Sequence, residues 1–352
     1  LPSFPTRRSS DLVMGYAFST DGGATWTDPS FVSSPDGRAA SDPVLARHPD
    51  GRFFLTWVGF FRDPQGNPLD MHVYVSESPA GSATFGAPVE VSNPTPDVFL
   101  LDKPWIAISS SGAIAVSFAD IQQNGGFDED VATSLDGTTW SHSKIAKSPS
   151  FQTFYNLAFL CSDATTQRLT ATLLGQDQNR GDLDLYLVHS DDQGTSWSQP
   201  KKIAGPSVNG ELVSFDDPTC YAADGTVSVL YGVSDMPLTG ESQSSVALRL
   251  ATFDGAETET QVRDVQDASA GVVFQHPTIA GDGSGATSIA FYAGQFEGDP
   301  DGSYRVGRLT ADPTKTSGYQ DPIFYTIERN SIQWLGDYTG LVMDEGVAYT
   351  SF

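Results

Sequence analysis

Six segments of the chain set an ionisable or hydroxylated residue at the start of an apolar run: Ser41-Asp42, Asp102-Lys103, Tyr155-Asn156, Asp216-Asp217, Gln275-His276 and Asp337-Tyr338. Carboxylates, an imidazole and phenols can move protons or attack an electrophilic carbon, and a lysine among them can hold polar or anionic groups. A second set, Arg62-Asp63, Asp120, Asp177, Arg180, Asp235 and Tyr304-Arg305, stands where other strands end or begin. Any one of these residues reads first as an ordinary turn residue capping a strand. Their recurrence is what makes a candidate ligand site. Metal chemistry is not expected, because the five histidines have no paired spacing. No glycine-rich phosphate loop is present either.

The elements that carry these residues repeat. Each pair opens an apolar strand, a turn rich in Asp, Gly or Ser, and a second apolar strand: Asp42 to Trp57, Lys103 to Phe118, Tyr155 to Leu174, Asp217 to Tyr231, His276 to Tyr292, and Asp337 to Phe352. Between them runs another hairpin marked by a turn motif. Ser19-Thr20-Asp21-Gly22-Gly23-Ala24-Thr25-Trp26 recurs as Ser190-Asp191-Asp192-Gln193-Gly194-Thr195-Ser196-Trp197, and shortened as Ser134-Leu135-Asp136-Gly137-Thr138-Thr139-Trp140. Worn copies near Ser78, Thr252 and Thr310 complete a period of about sixty residues.

Two hairpins per period make a four-stranded antiparallel sheet, and six such sheets arranged radially make an all-β, six-bladed β-propeller. The chain opens with an outer hairpin, about residues 13–33, and ends with an inner one, about 333–352. Their pairing would complete the sixth blade and close the ring. In a propeller the innermost strands run the same way along the central channel, so the residues that open them converge on one mouth. Ser3 to Leu12 reads as the in-frame translation of a sequencing-library adapter. Residues 1–12 are therefore set aside as a scar, leaving 13–352 as a single propeller domain.

Composition limits the partners. With 19 basic and 44 acidic residues the formal charge is −25, which excludes nucleic acid, since a phosphate backbone is bound through a basic surface. No apolar run reaches the roughly 18 residues that would span a bilayer, so membrane insertion is not expected. A monomer is expected. Cys161 and Cys220 leave two readings open: one bridge, or two buried thiols in strands.

The repeated Ser/Thr-x-Asp-x-Gly-x-Thr-Trp motif resembles the Asp-box of the sialidase-like propellers, across essentially the whole span from Val13 to Phe352. In such a box the Asp accepts backbone N–H groups, Gly supplies positive φ and Trp packs beneath. Asp21, Asp136 and Asp192 are thereby structural. No cofactor is expected; calcium at the boxes has little to recommend it, because the spacing is not that of an EF-hand.

The resemblance implies an exo-acting glycosidase that retains configuration, working outside the cell or at its surface on terminal sugars of glycoconjugates. Tyr338-Thr339-Gly340-Leu341 is similar to the family's nucleophile segment, and Asp217-Pro218 to the Glu-Pro that carries its base. Arg305 matches the last of three substrate-gripping arginines, and Asp63 matches the acid/base by position. Arg62, Lys103, Asp42, His276 and Tyr231 complete the expected substrate-binding set. Two departures stand out: Ser41-Asp42-Pro43 has no arginine where the family opens its first inner strand, and Tyr231 replaces the second arginine, with Arg249 on the following hairpin. The competing expectation is a glycan-binding or cell-surface recognition propeller that has lost the arginine triad and the chemistry.

Overall fold

The computed structural model describes residues 13–94, 97–123, 125–147, 153–177, 183–205, 212–213, 217–234, 247–266, 272–281, 287–295, 303–309, 319–326, 340–344 and 347–351. These residues form antiparallel sheets with no α-helix among them; a 3-10 turn at Pro35–Gly37 is the one helical feature. The first sheet orders Ala39–Arg47, Phe53–Arg62, Pro68–Ser78 and Val89–Glu90, and the second Val98–Ile108, Ile114–Gln122, Phe127–Ser134 and Ser141–Lys147. The third orders Thr153–Ser162, Leu169–Asp177, Leu183–Ser190 and Lys201–Ala204. In the fourth, Leu212–Val213 and Thr219–Ala223 share one edge of Thr226–Ser234, followed by Ala247–Phe253 and Glu259–Gln266. The fifth orders Val272–Gly281, Thr287–Gln295, Ser303–Leu309 and Tyr319–Thr326.

The first strand of each sheet packs against the first strand of the next, from Ala39–Arg47 through to Gly340–Asp344. Cores fill the seams between consecutive sheets. Phe54, Val58 and Phe60 meet Leu101, Ile106 and Phe118 between the first two, and Leu230, Leu248 and Leu250 meet Phe274, Ile279 and Phe291 between the fourth and fifth. Each such side chain contributes about 1.5–3 kcal/mol on burial. Because both faces are covered, second strands are apolar almost throughout, as in Phe53–Arg62, instead of alternating. The architecture is that of a β-propeller, with about six four-stranded sheets in prospect.

Among the described residues the two ends of the chain form separate two-stranded sheets. Gly15–Tyr16 pairs with Ser30–Phe31, and Gly340–Asp344 with Val347–Ser351. The N-terminal hairpin lays Met14 and Val32 over Leu55, Trp57 and Tyr74 of the first sheet. Cys161 and Cys220 are bridged, with Cα atoms 5.7 Å apart, so the first strands of the third and fourth sheets are covalently joined.

The three boxes have the expected hydrogen bonding. In the first, Asp21 accepts the Thr25 N–H at 2.9 Å and the Thr25 hydroxyl at 2.6 Å, while Gly23, at φ +88°, donates to Ser19 at 2.8 Å. Asp192 repeats this with Ser196 at 2.8 and 2.6 Å, and Asp136 accepts Thr138 and Thr139 N–H at 2.7 Å. Trp140 and Trp197 pack against neighbouring cores. Trp26 departs from the expected plug: it is 64% exposed, with Nε1 donating to Gly23 O at 3.1 Å.

Candidate functional site

The first strands share one irregularity. In the first sheet Ser41 pairs with Val58 and Val44 with Thr56, so Asp42-Pro43 is an insertion opposite Trp57. Lys103-Pro104 is inserted in the same way opposite Phe118, Leu157-Ala158 opposite Leu173, and His276-Pro277 opposite Phe291. In the fourth sheet the strand is broken between Val213 and Thr219, a gap that contains Asp217-Pro218. These are β-bulges on a strand at the sheet's inner edge, where proline's missing N–H leaves no ladder bond unmade.

Asp42, Lys103 and His276 lie at φ +57°, +51° and +49°. Proline disfavours the right-handed helical region for the residue before it, and the left-handed region costs a non-glycine residue about 1–3 kcal/mol. Neighbouring sheets hold the bulges in place: the hydroxyl of Ser117 donates to Ala158 O at 2.8 Å, that of Thr172 to Pro218 O, and that of Thr219 to Pro277 O at 3.2 Å. Each acceptor is the last residue of its bulge or break. Strain of this kind concentrates where side chains are aimed for function. Here it acts at Asp42, Lys103 and His276, and Asp217 stands in the break at the corresponding place of the fourth sheet.

Two of these four meet. Nδ1 of His276 lies 3.2 Å from Oδ2 of Asp217, across the seam between the fourth and fifth sheets. Asp217 is buried, and the His276 ring stands edge-on to Tyr292, with centroids 6.0 Å apart. Asp42 accepts the Ser41 hydroxyl at 3.0 Å, and Asp102 accepts the Lys103 N–H at 2.9 Å.

Tyr231 is buried in the second strand of the fourth sheet, directly opposite Arg249. Burial pushes its phenol above the ordinary range, against the pull of Arg249. Arg249 thus belongs to the same sheet as Tyr231 and is its cross-strand partner, closer than its place on a following hairpin implies; its Nε donates to Asp264 at 2.7 Å.

Arg62 and Asp63 are engaged elsewhere. Asp63 accepts the N–H groups of Gln65 and Asn67 at 2.9 and 2.8 Å and the Asn67 amide at 2.8 Å, and these bonds lower its pKa. Arg62 donates to Gly66 O at 2.9 Å and lies over Phe60. Both fasten their own turn, and a carboxyl held ionised in this way is poorly suited to donate a proton. Asp120, at the end of the second strand of the second sheet, is the opposite case. It is 5% exposed, and burial, then Asp130, raise its pKa.

Lys144 stands beside Asp120 at 3.6 Å, Asp128 at 3.0 Å and Asp130 at 2.6 Å. Burial opposes its charge, yet Asp130 and Asp128 hold the ammonium pKa above the usual lysine range. Sequence reading missed this cluster, whose visible trace is the run Asp128-Glu129-Asp130. Arg305 lies in Ser303–Leu309 opposite Phe291 and Phe324. Tyr338, Asp337, Asp216, Arg180 and Asp235 lie outside the described residues. No group of three or more His, Cys, Asp or Glu suited to a metal ion occurs among the described residues.

No family model matches the chain, and no curated protein matches it. Solved structures do. A protein of unknown function from Dyadobacter fermentans matches with a TM-score of 0.58 at 14% identity, covering 89% of each chain. The fold is that of the sialidase-like propellers. A Hadza microbial sialidase matches with a TM-score of 0.53 at 14% identity over 86% of this chain and 61% of its own. The Trypanosoma rangeli sialidase in complex with sialic acid matches at 0.51 and 13% identity over 85% of this chain. This chain spans 49% of that enzyme's length. An ulvan lyase bound to a glucuronic acid–rhamnose sulfate repeat shares the fold with a TM-score of 0.51 at 11% identity. Among the described residues no helix is long and apolar enough to cross a membrane.

Proposed function

We propose that the chain is an exo-acting glycoside hydrolase that acts on terminal sugars of glycoconjugates with retention of configuration. Tyr338 is the nucleophile, Asp217 the carboxylate that assists it, and Arg305 a substrate clamp; Asp63, held ionised by its own turn, is not given the acid/base role. A phenol suits a sugar whose anomeric carbon carries a carboxylate group, because a carboxylate nucleophile would be repelled by that group. The observation that carries the reading is the repeated bulge at one level of the first strands, which brings Asp217 and His276 together at the inner edge. The likeness to glycan-acting proteins of the same fold supports it.

In this reading residues 13–352 form one closed six-bladed ring, with the N-terminal and C-terminal hairpins making the sixth blade. The exposure of Phe31, Leu45 and Val342, all on strands at that seam, supports closure. The bridge between Cys161 and Cys220 supports an oxidising, extracellular or cell-surface location.

A second reading, a non-catalytic glycan-binding propeller, is favoured by Asp42 at the first-arginine position and by the engagement of Asp63 in its own turn. Incubation with activated glycosides fluorinated on the carbon next to the anomeric centre, which trap the intermediate, separates the two. A glycosyl adduct on the peptide containing Tyr338 supports the hydrolase. An unmodified protein, with binding retained on a glycan array, supports the recognition module.

A further inference from the structure

We infer that a groove between the boxes of the second and third sheets is a binding site for an uncharged sugar, separate from the mouth. It lies where the first strands finish: Ile108 pairs with Ile114 and Ile114 with Ser134, as Ser162 pairs with Leu169 and Leu169 with Ser190. Its volume is about 440 Å³, within the usual range of small-molecule sites, about 300–1,000 Å³. The site stands apart from whatever chemistry the mouth performs.

The groove exists because one seam departs from its neighbours. Arg52 and Arg168 stand directly before the second strands of the first and third sheets, and each reaches a turn of the next sheet. Arg52 donates to Asp136 O at 3.5 Å, and Arg168 to Gly255 O at 2.7 Å. Ala113 holds that place in the second sheet. The third strands differ in step with this. Glu77, Thr133 and His189 are equivalent, each opposite the second residue of its second strand. Glu77 pairs with Arg52 at 3.2 Å and His189 with Glu257, so charged groups brace both flanking seams. Ala113 and Thr133 leave that brace out.

Hydroxyls wall the space that remains. Thr133, Thr139 and Ser141 line it with His142, Gln193 and Leu135. Among the described residues those three hydroxyls meet no hydrogen-bond partner. The counterparts of Thr139 in the other boxes, Thr25 and Ser196, each donate to the second oxygen of the box aspartate at 2.6 Å. In the shortened box Asp136 takes only the Thr139 N–H. The groove is preformed: the Ser143 hydroxyl donates to Gly194 O at 3.0 Å and Gln193 Nε2 to Ser111 Oγ at 3.3 Å. A Cβ on Gly194 would stand 2.5 Å from Cγ2 of Thr133, so the third sheet's box sits directly on the wall.

The ligand class follows from this lining. Among the described residues it holds no lysine or arginine, and its one carboxylate, Asp136, is taken by the N–H groups of Thr138 and Thr139 at 2.7 Å. An anion finds no fixed cation there, and an apolar ligand would strip water from the hydroxyls without replacing it. A neutral sugar suits both conditions. Its hydroxyls pair with Thr139 and Ser141, and its carbon face covers the exposed Leu135.

The test uses the whole chain and ligand-observed NMR titration with the methyl glycosides of glucose, galactose, mannose, N-acetylglucosamine and glucuronic acid. At least one neutral glycoside is expected to show saturation transfer from the protein. Thr139 and Ser141 are exposed, so the double variant Thr139→Val, Ser141→Ala should melt at the wild-type temperature and bind about tenfold more weakly, as two lost hydrogen bonds require. Ser141→Arg, which fills the groove from the same wall, should abolish the transfer. No transfer from any neutral glycoside overturns the site, as does wild-type affinity in both variants. Glucuronide binding as tight as that of glucoside overturns the ligand class. A chain that hydrolyses no glycoside yet binds a neutral one in this way upholds the groove while the hydrolase reading fails.

Discussion

Cys161 and Cys220 join the first strands of the third and fourth sheets, and Cys220 lies three residues beyond Asp217. The bridge therefore anchors the short segment Thr219–Ala223, which follows the break that contains Asp217. Closing a loop of 59 residues restricts the unfolded chain by about 4 kcal/mol in the chain-entropy account. Replacing both cysteines by serine is expected to lower the unfolding free energy by an amount approaching that value, read as a fall in the denaturant midpoint. An unchanged midpoint would mean that the seam core of Phe159, Leu185 and Val229 suffices alone.

Gly137 closes the shortened box beneath the first sheet. A Cβ there would stand 2.7 Å from Cε1 of Phe54, and the backbone is at φ +78°. Gly137→Ala meets both a clash with a fully buried ring and an unfavourable left-handed conformation. The expected loss is about 2–4 kcal/mol, read by thermal or denaturant unfolding. Gly37→Ala, at φ +74° with open space around it, isolates the backbone contribution and should lose much less.

The box aspartates make stability depend on acid. Hydrogen bonding to the Thr25 side chain and backbone lowers Asp21 to about 2, and Asp136 and Asp192 are lowered by similar bonds. A carboxylate with a depressed folded-state pKa adds stability that is fully present above its unfolded value, near 3.8, and is lost as pH falls through the folded value. Unfolding is therefore expected to steepen between pH 4 and about 2. Asp21→Asn and Asp192→Asn should flatten that slope, and a slope identical to wild type would contradict the role given to the boxes.

Removing Lys144 leaves Asp120, Asp128 and Asp130 facing one another without their cation. Lys144→Met is expected to destabilise by about 2–4 kcal/mol near neutral pH, less than for a fully buried pair because the ammonium keeps some solvent. Asp120 and Asp130 already have raised pKa values, chiefly from burial. Stability tied to their protonated forms is present at low pH and lost as pH rises, so the variant should recover stability on mild acidification. A melting-temperature series across pH reads both effects.

Local chemistry was the legible part of the sequence. The boxes could be read because Ser19, Asp21, Gly23 and Thr25 satisfy one another within a few residues. The X-Pro pairs at Asp42, Lys103, Asp217 and His276 were visible as strand openings, but the left-handed φ and bulged register of Asp42, Lys103 and His276, and the strand break that holds Asp217, depend on packing against the second strands. The contact of Asp217 with His276, the bridge from Cys161 to Cys220 and the pairing of Tyr231 with Arg249 join distant segments, which no local pattern encodes. Position alone nominated Asp63, and only the structure gives its carboxylate to Gln65 and Asn67. The motif implies a Trp plug in every copy, and Trp140 and Trp197 find a core to pack against that Trp26 does not meet.

Glycan processing at the mouth is tested most directly by hydrolysis itself. Purified protein is incubated with a panel of fluorogenic glycosides, sialosides and neutral sugars together, and the initial rates are compared with those of Tyr338→Phe and Asp217→Asn. Turnover of at least one terminal sugar, abolished by Tyr338→Phe and strongly reduced by Asp217→Asn, is the predicted result. Turnover that survives both substitutions, or no turnover on any glycoside while glycans are still bound, would contradict it.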